Sequence, residues 1–219
     1  MANSYCQREF DSLISDVRQC RLCPRMSNSE RVLSRAAGMP GAQVMFLGEA
    51  PGRLGADDSG IPFHGDKTGQ NFESLLAHVG MSRYQVFVSN AVLCNPRDER
   101  GNNATPTRQE VENCTTFLER QITVVDPAII VTLGATALQA LKTIEPHKIT
   151  LAEGVRHAFP WFGRILIPAY HPGQRAQIHR SFANQRSDFQ FIAEQSRRLR
   201  GTRRATAGTP RSDVLSVLR

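Results

Sequence analysis

Five cysteines, unevenly spaced, are the first residues in this chain whose types could do chemistry. Cys20 and Cys23 form a C-x-x-C pair, Cys94 ends an apolar run, Cys114 falls in the next helical stretch, and Cys6 is left over. A pair with two distant partners reads as a zinc site, an iron–sulfur site, a redox pair or buried free thiols. A redox pair would usually open a helix inside a strand–helix–strand unit, and this pair precedes the first strand. An all-thiolate set suits an iron–sulfur cluster or zinc. The second group is "GEAPGRLGADDSGIPFHGD" (48–66), which follows the apolar run "VMFLG" and carries Glu49, Asp57, Asp58 and Asp66 in a tight Gly/Pro loop. It contains neither of the Gly-rich phosphate-binding patterns.

These residues need elements to position them. The spacing of Phe10, Leu13, Ile14 and Val17 predicts an amphipathic helix over 7–19, and 28–42 reads as loop. Strands are expected at 43–48, 85–94, 128–134 and 163–172, with helices at 68–80, 106–125, 135–143 and 181–200 between and after them. Gly80 reads as a helix stop, and Thr105 with Pro106 as the cap and first position of the 106–125 helix. The alternation predicts a single α/β domain over 1–200, a three-layer α/β/α sandwich around a mainly parallel four-stranded sheet. Ligands of such sheets bind at the carboxyl ends of the strands. Those ends are "GEAPG", "SNAVLC", "TLGAT" and "YHPG".

Composition narrows the partner. The net charge is +7 and the pI about 9.6, which favours nucleic acid. The charge is concentrated after Ser196, where seven Arg stand against one Asp, so 201–219 reads as a basic, flexible tail. No apolar stretch approaches the ~20 residues of a membrane span, and "MANSYCQREF" has no signal-peptide core. A cytoplasmic monomer without structural disulfides is therefore expected.

Four patterns, "GEAPG", "GIPF", "SNAVLCNP…TPTRQEVENC" and "YHPG", occur in order at the predicted strand ends. Together they resemble the uracil-DNA glycosylase superfamily, closest to its iron–sulfur families 4 and 5, over about residues 15–195. The resemblance implies a [4Fe–4S] cluster on Cys20, Cys23, Cys94 and Cys114, and DNA as partner. It implies hydrolysis of the N-glycosidic bond of a pyrimidine flipped into a pocket. Phe63 is then the stacking platform, Asn90 the reader of the base edge, and His171 a donor to O2 of the departing base. Gly48, Ala50 and Gly52 line the base site, and Glu49 helps position water, with Asp57, Asp58 or Asp66 as substitutes. Gln174 and Arg175, in the loop after His171, are the implied DNA contacts in the minor groove.

The chain also departs from its relatives. The family 1 loop aspartate would align with Ala50, while "HGDKTG" looks more like the family 5 pattern "FTGDxSG". "YHPG" lacks the serine of "HPS", and the "RRIH" insert of cross-linking relatives is absent. Family 1 walls off C5 of the base with a tyrosine that aligns with Gly52, and family 4 with an acidic residue near Gly55. Either Leu54 or His64 supplies that wall, or the face is open and bulky 5-substituted pyrimidines, such as those of phage DNA, are substrates. A non-catalytic iron–sulfur protein that binds nucleic acid is the reading from another class; the joint presence of Glu49, Asn90 and His171 argues against it. No Lys falls at a strand end, so no Schiff-base lyase step is expected.

Overall fold

The computed structural model describes residues 2–205. In chain order the strands are β1 (Val44–Gly48), β2 (Phe87–Asn90), β3 (Ile129–Leu133), β4 (Phe159–Trp161) and β5 (Arg164–Ala169). The α-helices are α1 (Ala2–Gln19), α2 (Ala56–Ser59), α3 (Lys67–His78), α4 (Arg108–Val125), α5 (Ala135–Ala140), α6 (Leu151–Gly154) and α7 (Phe182–Ala205). The strands form one mixed sheet in the order β2-β1-β3-β5-β4, parallel except for β4.

β1 and β3 are buried at every position, as expected of a parallel sheet covered on both faces. Their side chains alternate between two cores. Met45 and Leu47 join Phe10, Leu118 and Leu138 on the face covered by α1, α4 and α5. Val44 and Phe46 join Phe72, Phe189 and Ile192 under α3 and α7. There Phe46 stacks on Phe189 at 5.5 Å and meets the edge of Phe72 at 5.2 Å.

The sheet has five strands, where four were expected. The extra strand is three residues long and contains Pro160, so it carries no periodic signal; it sits at the sheet edge, where a proline is tolerated. Phe162 (φ 48°) and Gly163 (φ 65°) turn it back into β5, the positive-φ pair that a two-residue hairpin needs. β2 stops at Asn90 rather than continuing to 94. Beyond it the Ala91 and Val92 N–H groups still bond to the Gly48 and Glu49 carbonyls, at 2.8 and 3.0 Å, and so hold the loop after β1. α4 is capped by Thr107, not Thr105: the Thr107 hydroxyl accepts from the Glu110 N–H while the Glu110 carboxylate accepts from the Thr107 N–H. α1 begins at Ala2, five residues earlier than its apolar spacing suggests, and α7 runs to Ala205. The remainder of the basic tail, 206–219, lies outside the described residues.

Candidate active site

β1 and β2 end side by side, with Gly48 paired to Asn90. Gly48 must lack a side chain. A Cβ there would stand 2.5 Å from Asn90 Oδ1 and 2.6 Å from the Phe63 ring, so its absence lets the amide and the ring converge. Asn90 is 1% exposed, and neither atom of its amide has a hydrogen-bond partner. Such a group costs on the order of 1–3 kcal/mol unless something satisfies it.

Phe63 is held in a left-handed backbone conformation (φ 51°), uncommon for a bulky residue. Two contacts impose it. The Arg83 guanidinium donates to the Pro62 and Phe63 carbonyls, and burial lowers its pKa. On the other side α3 presses close: a Cβ on Gly69 would lie 2.7 Å from the Phe63 carbonyl oxygen. The ring then rests 5.2 Å from Phe72 and 5.6 Å from the His171 ring, centroid to centroid.

His171 follows β5. Its Nδ1 accepts the Gly173 N–H at 3.1 Å, which leaves Nε2 to carry the proton of a neutral ring. Burial pushes its pKa down, with Asp66 opposing. Gln185 donates to the His171 carbonyl and Asn71 to the Pro172 carbonyl, at 3.3 and 2.8 Å.

Glu49, Ala50, Gly52, Phe63, Asp66, Asn90, His171 and Arg175 converge on one cavity of about 330 Å³, a size ordinary for a small-molecule site. Asp57 and Asp58 do not line it. Asp57 is buried against Arg97 Nη2 (2.5 Å) and the Glu30 N–H (3.0 Å), and Asp58 is on the surface. Asp66 caps α3 through one oxygen, which accepts the Gly69 N–H at 2.8 Å, and turns the other toward the two glycines. A Cβ would lie 3.3 Å from that oxygen at Gly52 and 2.9 Å at Gly55. The space expected to be open at Gly52 and Gly55 is thus occupied by Asp66. Neither Leu54 nor His64 lines the cavity: Leu54 is 68% exposed, and His64 pairs with Glu73 on the surface. The rest of the wall is Asn95, Pro96 and Asn103 to Thr105, joined to the Gly52 loop by the bond from the Arg53 N–H to Asn103 Oδ1 at 2.9 Å. The sequence marks this segment by its Asn-Pro turn dipeptide and offers Thr105 only as a helix cap, with nothing that places either at the cavity.

The family model described as "Uracil DNA glycosylase superfamily" matches residues 36–195. The chain belongs to this superfamily. It is 34% identical to the type-4 uracil-DNA glycosylase of Thermotoga maritima over 77% of this chain and 84% of that protein. To the type-4 enzyme of Archaeoglobus fulgidus it is 31% identical, over 84% and 92%. To the type-5 uracil-DNA glycosylase of Thermus thermophilus it is 27% identical, over 74% and 85%.

Two further parts of this superfamily member bear on function. Cys23, Cys94 and Cys114 pack together with Met26 and Val92 beneath Ala50. Burial pushes the Cys94 thiol up to about 11 and Cys114 to about 12; the other cysteines, Cys20 among them, add to the rise, while Arg31 opposes it at Cys94. The Leu93 N–H bonds to Cys114, Asn113 Nδ2 donates to Cys23 Sγ at 3.4 Å, and the charges of Arg31 and Arg25 act on Cys94 and Cys23. Among the described residues, no three His, Cys, Asp or Glu side chains are grouped so as to hold a metal ion. The second part is the 3-10 turn Gln174–Ile178 after His171, where Gln174 and Arg175 are exposed and Ile178 is 84% exposed. No helix among the described residues is long and apolar enough to cross a membrane.

Proposed function

We propose that the protein is a monofunctional DNA glycosylase that removes uracil from DNA, leaving an abasic site. The observation that carries this is the unsatisfied Asn90 amide, buried at the base of a cavity shared with the Phe63 ring and the His171 imidazole. A cavity that leaves both a donor and an acceptor unpaired suits a ligand with a complementary edge, and the N3–H and O4 of uracil are such an edge. The bond from N1 of the base to C1′ of the sugar breaks with its electron pair moving onto the base. Water adds to C1′ and loses a proton. The neutral His171 donates from Nε2 to O2 of the departing anion, and Phe63 stacks on the ring. Glu49 and the free oxygen of Asp66 are the carboxylates at the cavity that can orient the water. Arg175 at the mouth and Gln174 beside it would meet the DNA in the minor groove.

The donor set of Cys20, Cys23, Cys94 and Cys114 suits a thiolate-bound [4Fe–4S] cluster: three of the thiols pack together, Cys20 acts on two of them by charge, two N–H donors meet sulfur and two arginines lie nearby. Cys20 and Cys23 before β1, Cys94 after β2 and Cys114 in α4 would hold such a cluster, and binding it would tie these parts of the chain together. No step of the hydrolysis passes through it.

The test is single-turnover excision from duplex and single-stranded oligonucleotides carrying one uracil, reading free base and abasic sites. Uracil release by the parent, lost in Asn90→Ala and His171→Ala, is expected. Release by both variants at the parent rate would sink the assignment of the site.

A further inference from the structure

Arg25 lies two residues after Cys23, in the 3-10 turn Pro24–Met26, and all three of its guanidinium nitrogens are engaged. Nε and Nη2 donate to the two Glu110 oxygens at 2.8 and 2.5 Å. Nη2 also donates to the Thr105 carbonyl (3.3 Å), and Nη1 to the Arg97 carbonyl (3.4 Å). Arg97 and Thr105 are the two legs of one loop, closed by the Arg97–Asn103 bridge and the Ala104 N–H to Pro96 bond at 2.9 Å. The inner side of that loop is the cavity wall formed by Asn103, Ala104 and Thr105. The anchor is fixed as well. Glu110 belongs to the capping box of α4, the helix that carries Cys114. One side chain thus joins the C-x-x-C turn, the helix of the fourth cysteine and both legs of the wall.

We propose that Arg25 is a positioning residue: its forked guanidinium holds the wall loop 97–105 in the place where the cavity takes the base. This rests on the glycosylase reading for its effect on substrate, though not for its effect on the loop. The fork is needed because four acceptors in three directions are served at once, and an ammonium is a single point of charge that cannot span them. The wall residues carry no proton or charge in the hydrolysis proposed above. Loosening them removes binding shared by ground and transition states, which raises KM and spares kcat.

The test compares Arg25→Lys and Arg25→Ala with the parent and with Arg35→Ala, which breaks an exposed ion pair to Asp11 elsewhere on the surface. Two readouts are taken on the full chain: amide hydrogen exchange by peptide, and steady-state excision of uracil from duplex DNA. Both Arg25 variants should exchange faster over 97–105 with the sheet and the C-terminal half of α4 unchanged. Their KM should rise about tenfold with kcat within about threefold, and Arg35→Ala should match the parent in both readouts. Unchanged exchange at 97–105, a lysine variant identical to the parent, or faster exchange everywhere at once would each overturn the proposal. If the parent releases no uracil, the glycosylase reading fails, and the exchange pattern alone then decides the role of Arg25.

Discussion

His171 Nδ1 accepts the Gly173 N–H at 3.1 Å, and this one bond dictates what the opposite ring nitrogen can do. An acceptor at Nδ1 requires the proton of the neutral ring to sit on Nε2. The geometry is tight, since a Cβ on Gly173 would come within 2.8 Å of Nδ1. A glycine at 173 lets the backbone reach the ring.

The first prediction concerns the charge of that ring. Burial lowers the His171 pKa from 6.5, so the folded protein resists a proton that the unfolded chain accepts. Stability is therefore intact above about pH 6.5 and declines as the pH falls below it, until the folded-state pKa is reached. Nitrogen-15 NMR should show an Nε2–H tautomer at neutral pH and titration below 6.5. His171→Gln should lose part of the acid sensitivity of the melting temperature, and His171→Ala should slow excision by on the order of 10²-fold or more. Titration of His171 above 6.5 would contradict the neutral donor at this half-buried position.

Asn90 separates activity from stability. Its two unpartnered amide atoms are a cost in the free protein. Asn90→Ala should therefore leave the melting temperature near or above that of the parent while excision falls by about 10²-fold. Gly48→Ala should fail in a different way. Its methyl would collide with both Asn90 and Phe63, costing about 1–3 kcal/mol as overpacking does. A Gly48→Ala protein with parental stability and activity would show that the two side chains can part freely.

Much of this arrangement could be read from residue types because it is local. β1 is an apolar run and β3 is one broken only by Thr132, and a strand end followed by Gly, Pro or His advertises the rim of a parallel sheet. The cap of α4 was misassigned to Thr105 although its signal is local: Glu110 stands three residues after Thr107, the spacing a capping box needs, whereas Arg108 stands three after Thr105. Non-local pairing was not legible. Asp57 and Asp66 look alike in a loop of carboxylates, and only the approach of Arg97, forty positions on, removes Asp57 from the cavity. The bonds from Arg25 to the Arg97 and Thr105 carbonyls of the wall loop span even more of the chain.

The cysteines are tested by colour. The purified protein, handled anaerobically, should be brown, and Cys94→Ala or Cys114→Ala should bleach it and lower its melting temperature. Cys6→Ala should do neither, since Cys6 lies on α1 outside the packed set. Colourless protein with stoichiometric zinc would replace the cluster with a different all-thiolate site.

The last prediction concerns Asp66, which fills the space at Gly52 and Gly55. Inserting a tyrosine at Gly52 would test two things at once, because the new ring must first displace the Asp66 carboxylate 3.3 Å away. Asp66→Ser is cleaner. Serine can still accept the Gly69 N–H as the cap of α3, so the helix start should survive within about 1 kcal/mol. What disappears is the second oxygen, the one facing the two glycines and the cavity. If that oxygen is the wall against a 5-substituent, the variant should excise 5-hydroxymethyluracil relative to uracil at least several-fold better than the parent. If it orients water instead, both substrates should slow together and their ratio should stay fixed. Competitive excision from duplexes carrying the two bases at one position measures that ratio directly. A ratio that shifts while uracil excision holds makes Asp66 a determinant of shape. A constant ratio with a fall of about 10²-fold makes it a catalytic carboxylate beside Glu49. No change in either quantity would leave Asp66 as the cap of α3 alone, and the wall against C5 would have to come from the Asn103 side of the cavity.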